Sequence, residues 1–445
     1  MHVVERLAEF AHIHRGRPIG PQVLHHAKRA VIDWHAALVP GAGVAPAALL
    51  EGALAQELDH GDAHLALGRR ATIRAAALIN GAAAHTLEVD DIFREGIYHP
   101  GAPTIAAALA VAQSRRASGE QFLRAVIVGY EISTRIAAAM GRAHYKYWHN
   151  TGTIGCFGAA SAAAELLGLD RKRFAHALAT VATFSAGLQQ AFRTDSMSKP
   201  MHAGRAAEAG VTAALAAAEG VTGSLDIMEG EAGYGRAMGD GPDWERSLAT
   251  LGEDFHITQM TFKNHACCGH AFAAIDGALA LKERMGLAAA EIARVRVGGY
   301  RATLEVAGIA DPATAAEARF STPYLVATAL THGSVRLAAF EPARLEDAAT
   351  RSLMRRVEVA LDPELDAAFP AQRSARVAIE SHDGRRGEHL QPTRKGDPDM
   401  PLSDAELEHK YLELASPVLG EGRARQLLAR LWRLEREAAV PAANG

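Results

Sequence analysis

The chain has 445 residues, 49% of them apolar and 22% charged, and 47 basic against 51 acidic side chains leave a net charge of -4. These values exclude a disordered chain, a collagen repeat and a small disulfide scaffold, and they offer no basic field for nucleic acid or a membrane surface. Aromatics are only 6% and Gly numbers 41 in an Ala-rich background, so the composition leans to helices with closely approaching backbones.

Up to about residue 225 the apolar spacing is helical, with runs over 23–38, 70–90, 103–117, 121–141, 155–167 and 203–219. Residues 225–262 are Gly-rich, but GYGRAMG neither follows a strand nor opens a helix as a nucleotide loop would. After about 265 the pattern changes. Short runs at 295–297, 357–361 and 375–380 read as strands, with His382-Asp383-Gly384 as a hairpin turn and helices at about 271–285, 312–331 and 345–356. Residues 392–402 form a Pro, Asp and Gly linker, and Ser403-Asp-Ala-Glu406 is a capping box that opens the last helices. The expected fold is mostly α. A large all-helical domain, begun by residues 1–265 and completed by 401–445, carries a smaller α+β lid domain over 266–400.

Cys156, Cys267 and Cys268 suit neither a disulfide framework nor zinc spacing, which predicts a reducing compartment. Met1 to Gly20 lacks the apolar run of a signal peptide, and no stretch of 18 apolar residues occurs. A cytoplasmic protein is the expectation.

Four segments share a layout: a polar loop that runs into an Ala/Gly helix. In the first, His85-Thr-Leu-Glu88-Val-Asp90-Asp91, a continuing helix puts His85, Glu88 and Asp91 on one face and turns Asp90 elsewhere. It leads to His99-Pro100-Gly101. The second, His144-Tyr145-Lys146-Tyr147-Trp148-His149-Asn150-Thr151-Gly152-Thr153, places hydroxyls and backbone N–H groups at a helix start, where an anion is favoured. The third contains Asp195, Ser198, Lys199, Pro200 and His202; Pro200 predicts an extended Lys199 just before a helix. The fourth is Lys263-Asn-His265-Ala-Cys267-Cys268-Gly269-His270. HExxH and GxSxG are absent, so neither a zinc protease nor a serine hydrolase is indicated, and no metal or cofactor motif appears. Lys, His and Tyr in this number suit acid–base chemistry beside a carboxylate.

Taken in order, HTLEVDD…HPGAP, YWHNTGTIGCFGAA, SMSKPMHAGRAAEAG, FKNHACCGHAFAAID and FSTPYLVA resemble the MmgE/PrpD family over nearly the whole chain. That family contains 2-methylcitrate dehydratase, cis-aconitate decarboxylase and iminodisuccinate epimerase. The resemblance implies a homodimer needing neither metal nor organic cofactor, with its active site between the two domains. It implies catalytic roles for His99, His149, Tyr145, Asp91 and Lys199, and substrate contacts for Asp90, Thr151, Thr153, Lys263, His270 and Tyr324. Glu88 stands where the family pattern often has Asp, and Cys268 stands in the place of a decarboxylase His. The expected activity is removal of a proton α to a carboxylate of a small di- or tricarboxylate, most simply by a dehydratase-type lyase. An epimerase of the iminodisuccinate type and a non-catalytic carboxylate-binding helical dimer are the alternatives.

Overall fold

In the computed structural model, residues 1–192 and 196–441 are described; Asp195, at the head of the third motif, lies outside them. The chain divides into two compact units, Met1–Phe262 together with the segment from Ser403 onward, and Lys263–Leu402.

The first unit packs Ala-rich helices at short range. The Ile73–Thr86 and Ser198–Ala218 helices cross at two glycines, where a Cβ on Gly81 would fall 2.9 Å from the Gly204 Cα. Around them lie Pro21–Ala42, Gly101–Arg115, Gly119–Tyr145 and Gly155–Leu166. Side chains fix the helix starts. Thr72 accepts from the Ala75 N–H (3.2 Å), and Ser118 forms a capping box with Gln121. The Ser403–Glu406 box expected from the sequence opens the Asp404–Leu419 helix, which packs on Pro21–Ala42. Among the described residues no single helix is long and apolar enough to cross a membrane.

The expected fold class needs correction. The first unit is not all-helical: β1 (Leu58–His64) and β2 (Arg70–Ala71) pair antiparallel within it. Strand, 10% of the chain against 59% helix, therefore occurs in both units. The hairpin sequence LDHGDAH has no β-branched or aromatic residue to announce it. Long-range side chains pin it instead. Asn80 accepts from the Ala66 N–H (3.0 Å) and donates to the His64 carbonyl (3.0 Å), while Gln113 accepts from the His64 N–H (2.9 Å).

The second unit is a four-stranded mixed sheet backed by helices. With β3 (Ile292–Gly299), β4 (Val357–Leu361), β5 (Ala375–Ser381) and β6 (Arg386–Gln391), the order is β4-β3-β5-β6. β3 runs parallel to β4 and antiparallel to β5, so Val297 lies between Val359 and Val377. Val295, Val297, Val377 and Ile379 are buried, and the Phe272–Met285 helix packs on β5 and β6. β5 and β6 turn through Gly384, whose φ of 88° is left-handed.

Candidate active site

The first motif departs from the continuing helix expected over 70–90. The helix stops at Thr86, and Glu88 takes a left-handed φ of 59°. His85, Glu88 and Asp91 thus do not share a helix face. The chain doubles back instead and brings Asp90 to His85, with Nδ1 2.7 Å from Oδ2. The loop beyond is closed by backbone pairing of Phe93 with Tyr98, and it returns His99 to the same oxygen at 3.3 Å. His85 and Asp90 are fully buried.

Asp91 faces the other way. Its Oδ1 accepts from the Gly101 N–H (3.0 Å) and its Oδ2 from the Tyr130 hydroxyl (2.8 Å). Its carboxyl holds the first turn of the Gly101–Arg115 helix. Burial, helped by the charge of Asp33, pushes its pKa up to about 8. Asp90 differs: burial acts to raise its pKa, but His85 and His99 hold it well below the usual carboxylate range.

His149 caps the four-residue Asn150–Thr153 helix. Asn150 donates to the Gly96 carbonyl (2.5 Å), and Thr151 Oγ1 accepts from the His99 N–H (3.3 Å), so the second motif anchors the loop of the first. Thr153 Oγ1 lies 2.6 Å from His144 Nε2 and also donates to the His149 carbonyl (3.3 Å). Tyr145 is half-buried at the end of its helix, and its carbonyl accepts from Gln189.

The third motif is helical from Ser198, which corrects the extended Lys199 expected from the sequence. Pro200 falls within the first turn, where its missing N–H removes no intrahelical bond. Lys199 Nζ pairs with the Glu88 carboxylate that the left-handed turn presents.

These segments assemble a row of imidazoles. The His85 ring lies 4.8 Å from His99 and 5.3 Å from His149, and His149 lies 5.3 Å from His202. Burial, then the nearby His85 and Lys199, hold the pKa of His149 well below the ordinary imidazole value. The result is a buried neutral imidazole near the Lys199 ammonium, stacked on the His85 ring that meets Asp90. His85, Asp90 and His99 also bring three potential metal-ligand atoms within 4.8 Å of one another. Separations of five and nine residues across an irregular loop left that convergence unreadable from sequence.

The fourth and fifth motifs lie in the second unit. Lys263 is buried at its first residue. His265 Nε2 meets Asp276 Oδ1 at 2.9 Å. Burial first, then Cys268, push the buried Cys267 thiol well above its usual pKa, against a nucleophilic role. His270 Nδ1 meets the Tyr300 hydroxyl at 3.0 Å, and burial with Arg373 and Arg394 lowers its pKa to about 4. Tyr324 is a core residue of this unit, and its hydroxyl donates to the Ala339 carbonyl (2.6 Å).

Sequence reasoning noted His85, Glu88 and His202 in the motifs but gave them no role. The available signal was a polar residue on an otherwise Ala-rich buried face, as at His85 in AAAHT.

A buried row of imidazoles on Ala-rich helices and a separate unit built on a mixed four-stranded sheet are the two parts that the comparisons match. Residues 5–247 match the MmgE/PrpD N-terminal domain and residues 265–434 the MmgE/PrpD C-terminal domain, and the chain belongs to the MmgE/PrpD family. It is 28% identical over 378 residues to the cis-aconitate decarboxylase-like protein oryM of Aspergillus oryzae, covering 80% of this chain and 78% of that one. It is 26% identical over 362 residues to the cis-aconitate decarboxylase of Homo sapiens (79% and 74%). The cis-aconitate decarboxylase of Aspergillus terreus is likewise 26% identical, over 366 residues (76% and 74%).

Proposed function

We propose that this chain is a lyase that removes a proton α to a carboxylate of a small tricarboxylate. The observation that carries the reading is the buried neutral His149 stacked on His85, whose ring meets the Asp90 carboxylate that also faces His99, with Lys199 close enough to depress the His149 pKa. The names of the relatives, cis-aconitate decarboxylases, support a tricarboxylate.

A substrate carboxylate would take Lys199 from Glu88. His149 is the base. His99 returns a proton to the leaving group or to the carbanion, with Asp90 stabilising the imidazolium formed on the way. Lys199 offsets the negative charge that develops on the enolate. Every step uses side chains of this chain, and activity is expected to survive dialysis against EDTA.

The test is incubation with a panel of di- and tricarboxylates in deuterated water, followed by NMR. Loss of water or of carbon dioxide supports the lyase reading and says which bond breaks. Exchange without net change marks an epimerase instead. Binding without exchange or turnover on any member overturns catalysis.

A further inference from the structure

His202 lies one turn into the Ser198–Ala218 helix, and its Nδ1 is 3.1 Å from the Nδ1 of His149. The two rings are inclined by 50°. His149 is 2% exposed, whereas His202 is only half-buried. Two imidazoles that meet Nδ1 to Nδ1 share one hydrogen-bonding proton, and its location decides what each outer nitrogen can do. When His149 donates, its Nε2 is a lone pair and a base. When His202 donates, His149 carries its proton on Nε2 and can only donate a hydrogen bond there.

The backbone leaves room for this contact. The His149 N–H donates to the Gly187 carbonyl (2.9 Å), and a Cβ on Gly187 would lie 3.2 Å from His202 Nδ1. A Cβ on Gly152 would lie 3.1 Å from the His202 Cβ. The titratable groups facing the pair are Lys199 on the same helix, His85 from the Ile73–Thr86 helix and His99 from the loop. Burial and these neighbours lower the pKa of both rings, so the pair is neutral near pH 7 and a proton arriving on it is passed on.

We infer that His202 is the proton partner of His149, a positioning residue that receives the proton taken from substrate and sets the tautomer to which His149 returns. The inference rests on the proposed role of His149 as base. In the forward step the substrate C–H bond breaks, its electron pair stays on carbon, and the proton bonds to His149 Nε2. The Nδ1 proton of the resulting imidazolium passes to His202 Nδ1. His202 then releases its Nε2 proton to water, the half-buried ring serving as the outlet.

The experiment begins without substrate. Protein with ¹⁵N-labelled histidine is compared with His202→Asn, whose amide keeps a hydrogen-bonding group but cannot move a proton; His202→Gln serves if that variant fails to fold. In the parent, the two His149 nitrogens are expected to show shifts averaged between tautomers. In the variant, they should separate into one fixed tautomer. Identical His149 shifts in both proteins would overturn the inference, whether or not a substrate is ever found. With an active substrate, kcat of the variant should fall by roughly 10²-fold with KM retained. His202→Ala should be partly restored by added imidazole. Separated shifts with an unchanged kcat and pH profile would leave a structural pair and overturn the relay.

Discussion

Asp90 and His85 meet at 2.7 Å, although they stand five residues apart and on opposite sides of a helix end. The contact exists because Glu88 reverses the chain in a left-handed turn. The same Asp90 oxygen lies 3.3 Å from His99 Nδ1, so one buried carboxylate orients two rings of the row. Asp90→Asn keeps the volume but removes the charge. The expected result is a loss in kcat of roughly 10²-fold or more, with the fold retained by circular dichroism. Wild-type kcat in a folded variant would show that the orientation of His85 and His99 does not depend on that charge.

Lys199 and Glu88 form an ion pair with both side chains partly exposed, 23% and 31%. An anionic substrate competes with Glu88 for the ammonium. Glu88→Gln should therefore lower KM for a tricarboxylate, while Lys199→Met should raise it or abolish turnover. Because the pair is partly solvated, neither change should shift stability by more than about 1 kcal/mol. A higher KM in Glu88→Gln would mean that Glu88 helps bind substrate rather than competing with it.

Asp91 makes a pH prediction about stability. Its folded pKa of about 8 lies above the ordinary carboxyl value, so the folded chain binds the proton more tightly than the unfolded one. The stabilisation is therefore complete at and below about pH 4 and is lost as the pH rises through about 8. Asp91→Asn cannot ionise. Between pH 4 and pH 8 it should lose less stability than the parent, by on the order of 5 kcal/mol, in urea unfolding at fixed temperature. Parallel pH profiles would show that Asp91 is not the group that titrates.

The sequence carried much of this architecture in local signals. Ala-rich periodicity located the large helices, and the Ser403–Glu406 box located the start of the Asp404–Leu419 helix. Alternation located β5, and the His382-Asp383-Gly384 turn implied a partner strand after it without marking the bounds of β6. What local pattern could not carry was anything decided across distance. The β1–β2 hairpin depends on Asn80 and Gln113 from two separate helices. Asp90 and Asp91 are neighbours of one residue type, and only the turn at Glu88 and the Tyr130 hydroxyl decide which meets the imidazoles. His202 resembles any helix-face histidine until Gly187 and Gly152 are seen to make space for it.

Lys410 tests how far the C-terminal segment supports the site. It is fully buried on the Asp404–Leu419 helix, where its Nζ donates to Asp33 Oδ1 (2.6 Å) and to the Val89 carbonyl (2.7 Å). The second bond anchors the residue before Asp90. Burial raises the pKa of Asp33 to about 6 even with Lys410 acting against it, so the carboxylate depends on its partner. Removing one member of a buried pair strands the other, at a cost of about 3–5 kcal/mol, whereas removing both is often near neutral. Lys410→Met should therefore destabilise strongly, and Asp33→Asn in the same chain should recover most of the loss. The double variant should still show a reduced kcat, because the Val89 carbonyl has lost its anchor and Asp90 is no longer held against His85. A coupling energy below about 1 kcal/mol in the double-mutant cycle would show that the pair does not act as a unit. Full activity in the stable double variant would show that the loop keeps Asp90 in place without the C-terminal helix.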